Sequence, residues 1–330
     1  MQRVSCIDIG TVTARLAVAD VDDGRVMRLA KQSTIVDLGE GLSASGRICE
    51  AAKGRLLSCV DGYLAAARAA MAPLVCCTLT SAARDAENSQ EVLEGLAERG
   101  LEAQVIPGEV EGMLTLLGIA QDFPGEPVLI ADNGGGSTEF ALGSLENGTL
   151  DVAFVRSIDV GCRRVTERFL SERESGIPSE QELAAAHEFA ADLFAPISGL
   201  LAEADVRPER LVACGGTVTS LVAMRDKLEP YDSSRVHLHE LSLADVETLE
   251  SELAAKSVAE RAEMAGLQAK RAPVILGGAV GVSEILRATG FDKLTVSESD
   301  LLFGLTLTTA AAAAGEKSPV GWNPALSQLC

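Results

Sequence analysis

Long uncharged runs are missing from this 330-residue chain. No stretch of about 20 apolar residues occurs, so no membrane-spanning helix is expected. Basic residues are scarce: 28 Lys and Arg stand against 48 Asp and Glu, for a net charge of −20. A nucleic-acid surface or an acidic-membrane surface needs a basic footprint, so neither partner is expected. An anionic small ligand stays open wherever a few Arg and Lys converge. The start, Met1-Gln2-Arg3, runs into a strand-like segment containing Asp8 and has no signal-peptide pattern. No C-x-x-C pair exists among Cys6, Cys49, Cys59, Cys76, Cys77, Cys162, Cys214 and Cys330. Most of these lie in apolar runs and read as reduced, buried thiols of a cytoplasmic protein. The histidines make no site: His237 and His239 sit in a polar segment and His187 in a helical pattern. Three nucleotide and hydrolase motifs are absent: G-x-x-x-x-G-K-[ST], G-x-S-x-G, and G-x-G-x-x-G, for which Gly39-Glu40-Gly41 lacks the third glycine.

What is present is enough for a packed core: 47% of residues are hydrophobic and 23% charged. The length exceeds the roughly 250–300 residues at which single cores stop growing, so two domains are expected. The linker candidate is Gln121-Asp122-Phe123-Pro124-Gly125-Glu126-Pro127, with two prolines and a glycine. Residues 4–9, 15–21 and 25–36 read as three strands with tight turns. After the linker the same pattern returns at 128–132, 139–145 and 150–158. The first strand of each set ends in Asp, and Asp8 and Asp132 are 124 residues apart (132 − 8). This is a weak internal repeat and predicts two related halves. Helices are expected at 47–71, around Val92 to Leu96, from about Val110, and at 162–173, 179–204, 216–227, 242–255, 271–288 and 298–314. Short strands are expected at 73–79, 102–107, 210–214 and 293–297, and the tail with Pro319 and Pro324 reads as frayed.

Three glycine-hydroxyl turns carry the chemistry. They are Asp8-Ile9-Gly10-Thr11-Val12-Thr13, Asp132-Asn133-Gly134-Gly135-Gly136-Ser137-Thr138-Glu139, and Cys214-Gly215-Gly216-Thr217-Val218-Thr219. Glycine lets a backbone fold closely around an anion and aim its N–H groups inward. Hydroxyls add donors, and a helix beginning after Gly216 adds a positive dipole end. Asp at a strand end suits Mg²⁺, which takes one or two carboxylates together with phosphate oxygens and water.

In sequence order, "CIDIGTVTARLAVADV", "LGEGLSASGRI", "TSAARDAENSQEVL", "VIPGEVEGMLTLLGIA", "DNGGGSTEF", "SIDVGCRRVTERFL", "VACGGTVTSL", "RAPVILGGA" and "VSESDLLFGL" resemble one family. It is the exopolyphosphatase and guanosine-pentaphosphate phosphatase (Ppx/GppA) family of the actin/Hsp70/sugar-kinase superfamily, in its short two-domain form. The resemblance implies an α/β fold of two actin-like (ribonuclease H-like) domains with an interdomain cleft. The implied division is 1–124 and 125–330, with the last helix, about 298–314, able to pack back on the first domain. It implies Mg²⁺-dependent release of terminal orthophosphate from inorganic polyphosphate. Hydrolysis of the 5′ γ-phosphate of guanosine pentaphosphate, a non-catalytic polyphosphate or alarmone sensor, and a sugar or acid kinase are the alternatives. A homodimer is a family expectation only.

By the same resemblance, the general base maps to Glu111. Gly10, Thr11, Thr13, Gly134, Gly135, Gly136, Ser137, Thr138, Gly215, Gly216 and Thr217 would bind phosphate. Arg15, Arg84 and Arg271 would clamp its oxygens. Asp132 and Glu139, with Asp8, would hold the metal. Each role has a plainer rival. Glu111 is also a first-turn carboxylate favoured by the helix dipole. Arg84 suits a helix cap or a pairing with Asp85 or Glu87, Arg271 a solvated helix charge, and Glu139 a cross-strand surface position. The chain departs from the family at Val12, Asp37, Val110, Asn133 and Pro273. Losing a basic residue at 37 weakens the track for a long anion.

Overall fold

A computed structural model describes residues 1–170 and 177–329. Its strands are β1 (Gln2–Ile9), β2 (Thr13–Asp22), β3 (Arg25–Ile35), β4 (Leu74–Leu79), β5 (Gln104–Val105), β6 (Val128–Asn133), β7 (Thr138–Glu146), β8 (Thr149–Ile158), β9 (Arg210–Cys214), β10 (His239–Ser242), β11 (Lys293–Val296) and β12 (Ser327–Gln328). They form two six-stranded sheets, with β12-β4-β1-β2-β3 plus β5 on β4 in one, and β10-β11-β9-β6-β7-β8 in the other. Both sheets open in the same way. An antiparallel pair (β1–β2, β6–β7) is extended on the other side of its first strand by a parallel strand (β4, β9). The expected repeat is therefore a repeat of topology.

The chain divides into two compact units, residues 1–125, 145–151 and 300–330, and residues 126–144 and 152–299. Two segments thus lie outside the expected 1–124 and 125–330 division, and one of them contains the last helix, which the resemblance allowed to pack on the first domain. The tip of the β7–β8 hairpin and the whole end of the chain belong to the first unit. The reason is apolar burial. Leu145, Leu301, Leu302, Leu305 and Leu307 share a cluster with Val4, Cys6, Ala17, Ala19 and Leu114.

In the first unit, strand alternation splits β1 between two cores. Ile7 and Ile9 pack with Leu56, Val60 and Leu64 of the Glu50–Ala69 helix. Val4 and Cys6 face the helices Gly108–Ile119 and Leu301–Ala313. Those two helices approach through glycine. A Cβ on Gly304 would lie 1.8 Å from the Leu114 carbonyl oxygen, so no larger residue fits without moving a helix. The second unit has one core, in which Leu129, Phe140, Leu211 and Ala213 of the sheet meet Val218, Ile275, Ala279 and Val282 of the helices.

The tail is ordered, not frayed: β12 pairs antiparallel with β4, and the Leu329 N–H donates to the Pro73 carbonyl. The single helix expected over 179–204 is two, Glu180–Phe194 and Pro196–Glu203, because Pro196 cannot continue the hydrogen-bond ladder. The polar segment holding His239 is strand β10. The expected helix 162–173 begins as Cys162–Val165 and widens to a π turn over Thr166–Leu170, and 171–173 lie outside the described residues. Among the described residues, no helix is long and apolar enough to cross a membrane.

Candidate active site

The first unit carries Glu111 at the start of the Gly108–Ile119 helix, after Pro107, whose carbonyl accepts from the Glu111 N–H. Its carboxylate is nearly buried. Arg84 Nη1 donates to Glu111 Oε2 at 2.7 Å and to the Ile106 carbonyl at 3.0 Å. Arg84, expected on phosphate, is therefore the group that orients Glu111.

Gly10 donates its N–H to the Thr13 carbonyl, closing the turn after β1. The carbonyls of Thr11 and Val12 accept from the N–H groups of Gly39, Val36 and Asp37. Val12 is only 4% exposed and packs inward, which accounts for an apolar residue in this turn. Among the described residues, no acceptor faces the N–H of Thr11 or Val12. The turn has spare donors and spent acceptors, the polarity an anion needs.

Asp8, expected on the metal side, is placed in an ion pair. It lies opposite Arg15 in the β1–β2 register, and Arg15 Nε and Nη2 donate to its Oδ2 at 3.1 and 2.7 Å. Its Oδ1 accepts from Thr78. Burial pushes the Asp8 carboxyl above its ordinary value, against the pull of Arg15.

The second unit repeats the turn. The Gly134 N–H donates to the Ser137 carbonyl at 3.0 Å, the same length as the Gly10 bond and again 124 residues on (134 − 10). The carbonyls of Gly134 and Gly135 accept from the N–H groups of Cys162, Arg163 and Arg164. Arg164 Nε donates to the Gly136 carbonyl at 2.8 Å. Among the described residues, the N–H groups of Gly135 and Gly136 face no acceptor.

Thr138 is a correction: its fully buried hydroxyl donates to the Val160 carbonyl at 2.6 Å and accepts from Asn133 Nδ2 at 3.0 Å. It is part of the turn's frame and is not presented to a ligand. That bond also accounts for Asn133, whose amide braces Thr138 while its Oδ1 is buried without a partner among the described residues.

Asp132 and Glu139 are cross-strand partners on β6 and β7. Glu139 is 1% exposed, so it is no surface residue, and its Oε1 accepts from Ser157 at 2.7 Å. Two facing buried carboxylates repel each other unless a cation lies near them. As hard oxygen donors they fit a divalent cation that completes its shell with phosphate and water. Among the described residues, no cluster of three or more His, Cys, Asp or Glu suits a metal, so protein atoms alone do not build a closed site.

The third turn meets the second. Gly215 has φ of 101°, and a Cβ there would lie 2.8 Å from the Asn133 carbonyl oxygen and 3.1 Å from Asp132 Oδ1. Only glycine lets the helix Gly216–Arg225 begin this close to the Asp132 carboxylate. The Arg271 guanidinium lies directly on Gly216. An anion there would interact with both the guanidinium and the helix start. Thr217 is 3% exposed and turned towards Gly278, so its side chain braces the helix start. Cys162 reports the same convergence. Burial raises its thiol, while Arg271, Arg163 and the Thr217 hydroxyl pull it down.

The Ppx/GppA phosphatase family model matches residues 17–310. The chain belongs to the Ppx/GppA phosphatase family. Exopolyphosphatase 2 of Mycobacterium tuberculosis is 34% identical over 328 residues, covering 94% of this chain and 99% of that protein. The solved exopolyphosphatase of Cytophaga hutchinsonii superposes with a TM-score of 0.83 at 26% identity, covering 97% of this chain and all of the other. The Aquifex aeolicus family member gives 0.76 at 27% identity, covering 94% and 98%. The Gly134–Ser137 turn also engages Arg163 and Arg164, whose residue type alone suggested no role. Two adjacent arginines at a helix start look like a solvated face until the glycine turn is seen seated on them.

Proposed function

We propose that this chain is an exopolyphosphatase, releasing terminal orthophosphate from inorganic polyphosphate. The observation that carries the reading is the polarity of the Gly134–Ser137 turn, with its carbonyls tied back, its N–H groups spare, and Arg271 lying over the neighbouring helix start. The names of the relatives support the same substrate class.

The N–H groups of Gly135 and Gly136, the start of the Gly216–Arg225 helix and the Arg271 guanidinium hold the terminal phosphate and spread its charge. Glu111, oriented by Arg84, accepts a hydrogen bond from the attacking water. As the water oxygen bonds to phosphorus and the bridging P–O bond breaks, Glu111 takes the proton. Mg²⁺ on Asp132 and Glu139, when bound, would neutralise charge on the phosphate oxygens. Asp132 and Glu139 are fixed for that task by their shared register and by Ser157.

A phosphate-release assay with polyphosphate and Mg²⁺, run beside guanosine pentaphosphate, tests the reading. Release from polyphosphate is expected, and none from polyphosphate refutes it. Binding of polyphosphate without turnover would make the chain a sensor.

A further inference from the structure

The Gly134–Ser137 turn is aimed by what stands behind it. In a planar trans peptide the C=O and the N–H point in opposite directions. The carbonyls of Gly134 and Gly135 accept from the N–H groups of Cys162, Arg163 and Arg164, so the N–H groups of Gly135 and Gly136 are turned the other way. Gly136 is the weak point of this arrangement, because a residue without Cβ turns readily at both φ and ψ. The peptide before it is packed on Gly161, where a Cβ would lie 2.5 Å from Gly136 N. The peptide after it is held by a side chain: Arg164 Nε donates to the Gly136 carbonyl at 2.8 Å. Nε carries a single hydrogen, so that donor is committed to this carbonyl whatever the two Nη groups touch.

We propose that Arg164 is a positioning residue: by holding the Gly136 carbonyl it keeps that oxygen off the phosphate face of the turn and preserves the aim of the Gly135 and Gly136 N–H groups. Without it, the carbonyl turns about ψ of Gly136 and brings an acceptor towards the anion. Donors that meet charge in the transition state work by being fixed beforehand. The first unit's turn solves the same problem without an arginine. Val12 stands 124 residues before Gly136 (136 − 12). It is β-branched and buried, and its carbonyl accepts from the backbone N–H groups of Val36 and Asp37. What the second turn takes from Arg164 is thus a hydrogen-bond donor, and the charge is answered in part by Asp159 Oδ1, 3.8 Å from Nη2. The inference rests on the exopolyphosphatase reading for the identity of the anion.

Substitutions at Arg164 separate the donor from the charge. The side-chain atom after Cδ is Nε in arginine and the amide nitrogen in glutamine, and it is carbon in lysine. Arg164→Gln therefore keeps the donor and loses the charge, Arg164→Lys keeps the charge and loses the donor at that place, and Arg164→Met loses both. Steady-state phosphate release from polyphosphate with Mg²⁺ is the assay, with melting curves to confirm the fold. In the Lys and Met variants kcat is expected to fall roughly 10- to 100-fold while KM stays within about threefold. Arg164→Gln is expected to keep kcat within about threefold of the wild type. Activity that follows the charge, with the Lys variant active and the Gln variant not, overturns the proposal. Equal turnover or equal loss in all the folded variants overturns it too. A purely structural Arg164 would move the melting temperature and leave kcat alone. If the wild-type chain releases no phosphate from polyphosphate, the exopolyphosphatase reading fails. Polyphosphate binding by titration calorimetry then ranks the same variants: the Gln variant tight and the Lys and Met variants weak is the expected order, and any other order, or no binding at all, overturns the role of Arg164.

Discussion

Gly216→Ala separates phosphate binding from stability better than any charge removal. A Cβ at this position would lie 2.0, 2.2 and 2.3 Å from Nη1, Cζ and Nη2 of Arg271. Ordinary carbon contacts begin near about 3.5 Å, so the guanidinium must retreat by roughly 1.5 Å. The obstacle is the far end of a flexible side chain, and alanine suits the first helical position, so the fold should hardly change. What is lost is one arginine's grip on phosphate, worth about 1.5–3 kcal/mol for a charge-assisted hydrogen bond. That is about 10- to 150-fold in KM for polyphosphate, while thermal unfolding moves by little. Steady-state phosphate release over a range of polyphosphate concentrations gives KM and kcat, and a melting curve controls for the fold. Unchanged KM in a folded variant would show that Arg271 does not touch the substrate, and the reading of this helix start would fall.

Glu111→Gln keeps the side-chain shape and loses the base, so kcat should fall by about 10²–10⁴ with KM nearly constant. Single-turnover phosphate release checks it, and full activity would reassign the base. Gly304→Ala forces a Cβ onto the Leu114 carbonyl, backbone that cannot swing away, and should cost about 2–4 kcal/mol in urea unfolding. His187 is held between Glu250 and Glu284, at 2.8 and 2.7 Å, with Arg287 bonded to Glu284 and to Glu247. Hydrogen bonds to Glu250 and Glu284 raise it from 6.5 to about 9. A raised folded value means the stabilisation is complete below pH 6.5 and disappears as pH climbs through about 9. After discounting for solvent it amounts to about 1–2 kcal/mol. Unfolding midpoints across that window should fall in the wild type and flatten in His187→Gln.

The sheets were legible because each has a plain physical signature. Residues 128–132 are apolar up to a terminal Asp, and Asn147-Gly148 makes the hairpin, so β6, β7 and β8 could be bounded to within a residue or so. The place of the last helix came from the family resemblance and not from its own residues. Nothing local in residues 300–330 says that Leu301, Leu302 and Leu305 return to strands laid down at the start, because their partners are some 300 residues away. In the site, the turns and Glu139 could be read from residue type. Side-chain direction could not. Residue type does not show that the Thr138 hydroxyl is spent on Val160, nor that Asp8 lies in register with Arg15. Asn133 was opaque for the same reason, since its task is to hold Thr138.

The duplicated turns show why the second has three glycines when its counterpart has one. Both copies spend their carbonyls on a backing segment, 36–39 in the first unit and 162–164 in the second. Both leave N–H donors spare among the described residues. The difference lies in what surrounds those donors. In the first copy they belong to Thr11 and Val12, and Val12 turns its side chain inward to pack. In the second they belong to Gly135 and Gly136, which present no side chain at all. The donors of the second turn therefore carry no side chain of their own, and Asp132 and Glu139, paired across β6 and β7, lie at its two ends. Donors alone would bind any small anion. On the proposed reading, donors flanked by paired carboxylates favour an anion that arrives with a cation, which would select a phosphoanhydride chain over a bare carboxylate.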